Sequence, residues 1–169
     1  TCTAGSRLLI EAGVANKFLA LVAERISRIR IGDPLDPATQ IGPAISARHQ
    51  AEVLRWMSEA TGSGLEQLDL PGQTLPEQGY FLKPTIYTGV DPACATAQNE
   101  IFGPILTVTT FRDADEALAI ANGTPYGLAT TVWTENIRRA RRIAREADSG
   151  IVWINTVHVL HPGSPYGGF

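Results

Sequence analysis

Residues 129–155, ATTVWTENIRRARRIAREADSGIVWIN, decide the fold class. The segment opens with a short β-rich run at 129–133, continues with an arginine-rich helical pattern, and closes on a second apolar run at 151–155. Small and apolar residues at helical spacing place one face of the middle segment against a core and leave the arginines in solvent. We predict that Thr134 caps this helix and that Gly150 ends it. A strand–helix–strand unit of this kind indicates a layered α/β domain with a mostly parallel sheet.

The same alternation of strands and helices extends over the rest of the chain. Apolar runs predict strands, apolar residues at helical spacing predict helices, and clusters of Pro, Gly and Asp predict loops. Pro84 interrupts one strand pattern, so that strand should lie at a sheet edge or bend there. The predictions are a strand at 7–11, a helix at 12–30, a loop at 32–43, a helix from the N-cap Ser46 to about Thr61, a short strand and loop at 65–78, strands at 80–87 and 105–111, and a helix opened by Asp113 and Glu116 and running through Ala121.

Composition and charge exclude several classes of protein. The 169 residues suit one compact domain, expected to span 1–169, and 44% hydrophobic with 18% charged residues is typical of a folded chain. A net charge of −3 argues against a nucleic-acid surface. No apolar stretch reaches the roughly 18 residues that a membrane helix needs, and no signal peptide is evident. Two cysteines make a poor disulfide framework, so we expect reduced thiols and a cytoplasmic protein.

Cys2 is the first candidate for chemistry. A single cysteine is usually a small buried hydrophobic residue, but the residues that follow Cys2, TAGS at 3–6, are small and polar enough to leave the thiol reachable. Backbone N–H groups nearby would favour the thiolate and would also stabilise an oxyanion on an attacked carbonyl. The three histidines, His49, His158 and His161, are all distant in sequence, so a Cys–His pair would need a tertiary contact.

Two segments carry a resemblance to a known family. TCTAGSR at 1–7 resembles the nucleophile segment of the aldehyde dehydrogenase superfamily, and EIFGP at 100–104 resembles its E-x-F-G-P segment. The first resemblance implies that Cys2 attacks an aldehyde to give a thiohemiacetal, that NAD or NADP accepts a hydride, and that water hydrolyses the resulting thioester. The second implies that Glu100 holds the nicotinamide ribose and that Phe102 contacts the nicotinamide ring.

Further resemblances run in family order along nearly the whole chain. They are GDP with IGP at 32–43, GYFLKPT at 79–85, YGL at 126–128, the G-x-x-x-x-N strand at 150–155, and SPYGG at 164–168, which resembles the P-[FY]-G-G loop. In the family, the loop that contains the P-[FY]-G-G motif and the residues beside the nucleophile line the aldehyde tunnel. The matching positions are Thr1, Thr3, His158, Leu160 and Tyr166. Leucine and tyrosine there suit an apolar or aromatic aldehyde better than a highly charged one.

Several parts of the family pattern have no counterpart in this sequence. There is no dinucleotide phosphate loop, and the resemblance places the general-base glutamate, the oxyanion asparagine and the NAD(P)-binding domain upstream of Cys2. We therefore interpret the chain as a catalytic-domain fragment that also lacks the C-terminal end. On this view the intact protein is a homodimer or homotetramer, as relatives are, and the isolated chain is inactive.

The sequence is also compatible with three other functions. A coenzyme A-acylating relative would share the cysteine, whereas a non-catalytic scaffold of the same fold would need neither Cys2 nor Glu100. A cysteine hydrolase without cofactor would need a base beside Cys2 and would leave Phe102 unexplained.

The spacing of His158 and His161 suggests a metal site only weakly, because Pro162 and Gly163 oppose a helix and no further ligands join them, so we expect no metal.

Overall fold

The computed structural model describes residues 1–168, which fall into two compact units. One unit comprises residues 6–110, and the other comprises residues 1–5 together with the chain from 111 onward. Each unit has its own sheet, and parallel strand pairs occur in both. The α/β class and the mostly parallel sheet predicted from the sequence are confirmed.

The unit of residues 6–110 is built on a four-stranded sheet in the order β1-β4-β3-β2. Its strands are β1 (Arg7–Glu11), β2 (Glu66–Gln67), β3 (Thr85–Thr88) and β4 (Ile105–Phe111), whose last residue is counted with the second unit. Strands β3 and β4 are parallel, with Thr85 opposite Ile105, and β2 is antiparallel to β3. The buried β-branched residues of β3 and β4 explain why these two strands form the centre of the sheet.

Three helices accompany this sheet: α1 (Ala15–Ser27), α2 (Ala47–Gly62) and the short α3 (Ala95–Gln98). A 3₁₀ turn at Ala12–Val14 precedes α1. Ser46 caps α2 as predicted, because its side chain accepts a hydrogen bond from the backbone N–H of His49. One hydrophobic cluster joins α2 to β3 and the 97–105 segment, and its buried members are Val53, Ala60, Leu82, Tyr87, Val90, Ala97, Ile101 and Ile105.

The prediction for Pro84 is only partly right. The strand begins at Thr85, directly after the proline, so Pro84 bounds the strand and stays outside its hydrogen-bonded ladder. The strand does not lie at an edge, because β3 sits between β4 and β2. The short helix α3 was not predicted from the sequence at all, since four residues give too little periodicity to reveal a helix.

The second unit contains the strand–helix–strand segment of residues 129–155. Strands β5 (Ala129–Val132) and β6 (Ile151–Ile154) pair in parallel, and helices α4 (Ala114–Asn122) and α5 (Ile137–Glu146) belong to the same unit. Ala140 of α5 is fully buried, while the arginines of that helix lie largely on its solvated face, as predicted. Among residues 1–168, no helix combines the length and hydropathy needed to cross a membrane.

Two predicted boundaries of α5 are wrong. Its N-cap is Asn136, whose side chain accepts from the backbone N–H groups of Arg138 and Arg139, whereas Thr134 accepts from the N–H of Asn136 one step earlier. The helix ends at Glu146, well before Gly150. Gly150 has a different role: a Cβ there would collide with the carbonyl oxygen of Gly167, so only glycine allows these two backbone segments to approach.

Candidate active site

Cys2 sits in a tight turn at the start of the chain. The carbonyl of Thr1 accepts a hydrogen bond from the N–H of Ala4 at 3.1 Å, which puts Cys2 and Thr3 at the two central positions of a β-turn. Cys2 is exposed and forms no disulfide, while Thr3 is half-buried. A turn of small residues therefore presents a reachable thiol, as the sequence predicts.

The hydroxyl of Tyr166 contacts the sulfur of Cys2. Tyr166 Oη lies 3.2 Å from Cys2 Sγ, although the two residues are 164 positions apart in the sequence. The Cys2 side chain raises the pKa of Tyr166, first through this hydrogen bond and to a smaller extent through its charge. A negative sulfur beside the phenol opposes loss of the phenol proton, so the hydroxyl is kept in its donor form.

His158 approaches the same turn but contacts its backbone. Its Nε2 donates to the carbonyl oxygen of Thr3 at 3.2 Å. The ring of His158 also packs edge-on against Trp153 of β6, with centroids 5.8 Å apart and an interplanar angle of 79°. His158 thus contacts the backbone of Thr3, whereas Tyr166 contacts the sulfur of Cys2. This arrangement does not support a Cys–His pair between Cys2 and His158.

The loop after β6 is fixed at several points. Trp153 Nε1 donates to the carbonyl of Val159 at 2.8 Å, and the backbone of Gly167 rests against Gly150 at the start of β6. His158 itself has a φ of 57°, a left-handed conformation that is uncommon for residues other than glycine. We call residues 155–168 the closing loop. These contacts hold His158 and Tyr166 in place beside the cysteine turn.

The predicted substrate residues belong to the same unit as Cys2. Thr1 and Thr3 flank the thiol in the turn, with their hydroxyls 3.5 Å apart, and His158 and Tyr166 reach that turn from the closing loop. Leu160 lies in the closing loop with an exposed side chain. The structure therefore brings four of the five positions together at Cys2 and places the fifth on the loop that supplies two of them.

Glu100 and Phe102 lie in the other unit, on the turn between α3 and β4. Both side chains are exposed, with Phe102 52% accessible, while Ile101 between them is buried. Hydrogen bonds from Gly103 N–H to the Ile101 carbonyl and from Thr85 N–H to the Pro104 carbonyl fix the turn, both at 2.8 Å. A buried residue between two exposed ones presents both side chains outward from a fixed backbone.

Two residues of helix α2 contact this turn, and the sequence analysis did not predict either contact. His49 Nε2 donates to the carbonyl of Phe102 at 2.5 Å, and Val53 packs directly against Gly103. His49 figured in the sequence only as one of three distant histidines. Nothing local to residues 49 or 102 predicts this contact, because it depends on how α2 packs in the fold.

A metal centre has no counterpart in the described part of the chain. Among residues 1–168, no group of three or more His, Cys, Asp or Glu side chains could hold a metal ion. His158 is instead accounted for by its hydrogen bond to Thr3 and its contact with Trp153.

The sequence model of the aldehyde dehydrogenase family matches residues 1–169. The chain belongs to this family. A curated relative, (Z)-2-((N-methylformamido)methylene)-5-hydroxybutyrolactone dehydrogenase of Acinetobacter baylyi, is 41% identical over 100% of this chain and 35% of its own length. Aldehyde dehydrogenases are thus similar to this chain from its first residue to its last.

Solved aldehyde dehydrogenases share the fold closely. A crystal structure of a putative aldehyde dehydrogenase from Burkholderia cenocepacia superimposes with a TM-score of 0.93 at 42% identity, covering 100% of this chain and 35% of that one. A point mutant of betaine aldehyde dehydrogenase from Staphylococcus aureus, solved with NAD+ and a BME-modified cysteine, gives 0.93 at 34% identity, with 100% and 35% coverage. The chain spans about a third of the length of the relatives it matches.

Proposed function

We propose that this chain is the cysteine-bearing catalytic part of an enzyme that oxidises an aldehyde to a carboxylic acid with NAD(P)+, and that Cys2 is its nucleophile. The observation that carries the proposal is the exposed Cys2 thiol in a fixed turn, in contact with Tyr166 and inside a chain of the aldehyde dehydrogenase family. The BME-modified cysteine of the Staphylococcus aureus relative lends support, since it shows a reactive thiol in a protein of the same fold.

The chemistry of Cys2 follows from its thiolate. The sulfur attacks the aldehyde carbon, an S–C bond forms, and the π electrons of the carbonyl move onto oxygen, where the N–H of Cys2 can donate to the developing charge. NAD(P)+, when bound, accepts the hydrogen of that carbon with its electron pair. The carbon is then left as a thioester of Cys2. Water attacks the thioester, the carboxylic acid departs, and the thiol is restored.

Glu100 and Phe102 suit the nicotinamide half of the cofactor. The Glu100 carboxylate offers two acceptor oxygens for the two ribose hydroxyls, and the exposed ring of Phe102 offers a flat apolar surface to a planar heterocycle. Both groups stand on a turn whose backbone is fixed by Gly103 and His49. We assign Glu100 to the ribose and Phe102 to the nicotinamide ring, with NAD and NADP both to be tested.

We further propose that Thr1, Thr3, His158, Leu160 and Tyr166 line the aldehyde site. An exposed tyrosine at the thiol and an exposed leucine in the same loop favour an apolar or aromatic aldehyde, because burial of apolar surface is the main source of affinity there. The full-length enzyme would add an upstream NAD(P)-binding domain, the deacylating base and the oxyanion asparagine, and would assemble as a dimer or tetramer. The chain's share of its relatives' length is consistent with this division.

A direct assay of the full-length protein tests the proposal. Aromatic, long aliphatic and charged aldehydes are each supplied with NAD+ or NADP+, with and without coenzyme A, and the reduced cofactor and products are measured. We expect aldehyde-dependent cofactor reduction and a carboxylic acid product, best with the uncharged aldehydes. Cys2→Ala should abolish turnover and Cys94→Ala, a matched change at the other free cysteine, should not.

Three outcomes contradict the proposal. Turnover that survives Cys2→Ala would remove the nucleophile assignment. Product formation that strictly requires coenzyme A would make the protein an acylating relative, and a protein that reduces neither cofactor with any aldehyde would favour a scaffold.

A further inference from the structure

The contact between Tyr166 and Cys2 has a definite direction once the cysteine ionises. A thiolate has no proton to donate, so at 3.2 Å the phenol O–H must be the donor and the sulfur the acceptor. The raised pKa of Tyr166 agrees with this direction, because it means that the phenol keeps its proton beside the sulfur. A hydrogen bond from a neutral donor to an ionised sulfur stabilises the ionised form.

The position of Tyr166 is set by the closing loop on both sides. Its neighbour Gly167 is lodged against Gly150 of the β6 entrance, and His158 ties the same loop to the Thr3 carbonyl. The backbone that carries Tyr166 is therefore anchored on both sides, while its ring stays 53% exposed.

We propose that Tyr166 is a positioning residue that donates its hydroxyl hydrogen to the Cys2 thiolate, raises the thiolate fraction at neutral pH, and orients the sulfur toward the aldehyde. The inference rests on the proposed function, in which Cys2 is the nucleophile. The hydrogen bond also lowers the intrinsic reactivity of the sulfur, because a thiolate stabilised by a hydrogen bond is a weaker nucleophile. We therefore expect the hydroxyl of Tyr166 to increase the reactivity of Cys2 at neutral pH and to decrease it at high pH.

The test follows alkylation of Cys2 by iodoacetamide in the full-length protein as a function of pH, without aldehyde or cofactor. In this reaction the thiolate sulfur forms a bond to carbon, the C–I bond breaks and iodide leaves. Peptide mass spectrometry separates Cys2 from Cys94. Tyr166→Phe keeps the ring and removes the donor, and Tyr126→Phe, a change at another exposed tyrosine of the same unit, is the matched control.

We expect the pH profiles of Tyr166→Phe and wild type to cross. The variant should react about three- to tenfold more slowly near neutral pH, since it loses a hydrogen bond to a charged group that is partly solvent-screened. It should need a higher pH for half-maximal rate and reach at least the wild-type rate at its plateau. Tyr126→Phe should follow wild type. Superimposed profiles, or a uniform loss at every pH, would overturn the proposal.

A second measurement covers the case in which Tyr166→Phe does not fold. Because Cys2 raises the pKa of Tyr166, Cys2→Ala should lower that pKa toward the ordinary tyrosine value, as seen in the titration of ring-labelled tyrosine by NMR. An unchanged titration would refute the contact. Neither measurement involves an aldehyde, so the two proposals fail separately. Crossed pH profiles in a protein that oxidises no aldehyde would contradict only the proposed function. Normal aldehyde oxidation with superimposed pH profiles would contradict only the role of Tyr166.

Discussion

The turn that carries Glu100 and Phe102 depends on one close approach between backbone and side chain. A Cβ on Gly103 would lie 2.7 Å from Cγ1 and 2.8 Å from Cγ2 of Val53, and Val53 is only 1% exposed. A buried valine surrounded by other core residues cannot turn away without disturbing them. The glycine in E-x-F-G-P is therefore explained here by packing against α2.

Gly103→Ala should destabilise this part of the chain by about 1–3 kcal/mol, the usual cost of overpacking a close-packed site. Hydrogen exchange of the amides in α2 and residues 101–105 measures the local free energy of opening. Gly62→Ala is the control, because a Cβ at the end of α2 meets no atom within 4 Å and should leave exchange unchanged or slightly slower. Equal exchange in wild type and Gly103→Ala would show that Val53 can move aside.

At the scale of secondary structure, the sequence located most elements but misplaced several ends. Ser46 was identified correctly because no other capping residue directly precedes the α2 pattern, whereas two residues of capping type, Thr134 and Asn136, lie within three positions of the start of α5. Sequence alone cannot decide which of the two residues is the N-cap, because that depends on where β5 ends. The first turn of the helix settles the choice, because the backbone N–H groups of Arg138 and Arg139 both donate to the side-chain oxygen of Asn136.

Asn136→Ala should weaken the start of α5 by about 1 kcal/mol, because two backbone N–H groups lose their acceptor. Hydrogen exchange at Arg138 and Arg139 reports the change directly. Asn136→Asp keeps an acceptor oxygen and should exchange as slowly as wild type. If Thr134→Ala had the larger effect instead, the cap would lie where the sequence first suggested.

At the scale of the whole chain, local motifs and long-range contacts differ in how far they can be predicted. Cys2, Glu100 and Phe102 were assigned by resemblance because each stands in a short contiguous motif, and these assignments remain proposals. The Tyr166–Cys2 and His49–Phe102 contacts join residues 164 and 53 positions apart, and no periodicity or spacing encodes such pairs. Tyr166 was predicted only as a tunnel residue, so its contact with the sulfur comes from the fold alone.

The isolated 169-residue chain should produce no NADH from any aldehyde. It spans about a third of the length of its relatives, and the resemblance places the deacylating base outside it. The Cys2 thiol should nevertheless react with iodoacetamide, because it is exposed and forms no disulfide. Steady aldehyde-dependent NADH production by the isolated chain would show that all of the catalytic groups lie within it.

The covalent state of Cys2 during turnover shows whether its sulfur is the nucleophile. The full-length protein is mixed with an aldehyde that is a substrate in the assay and with its cofactor, quenched in acid within the first turnover, digested, and analysed by mass spectrometry. We predict that the peptide containing Cys2 gains the acyl group of that aldehyde, and that the adduct disappears on longer incubation as water releases the acid. Cofactor reduction accompanied by an adduct on Cys94, or by no adduct on either cysteine during a demonstrated burst, would contradict it.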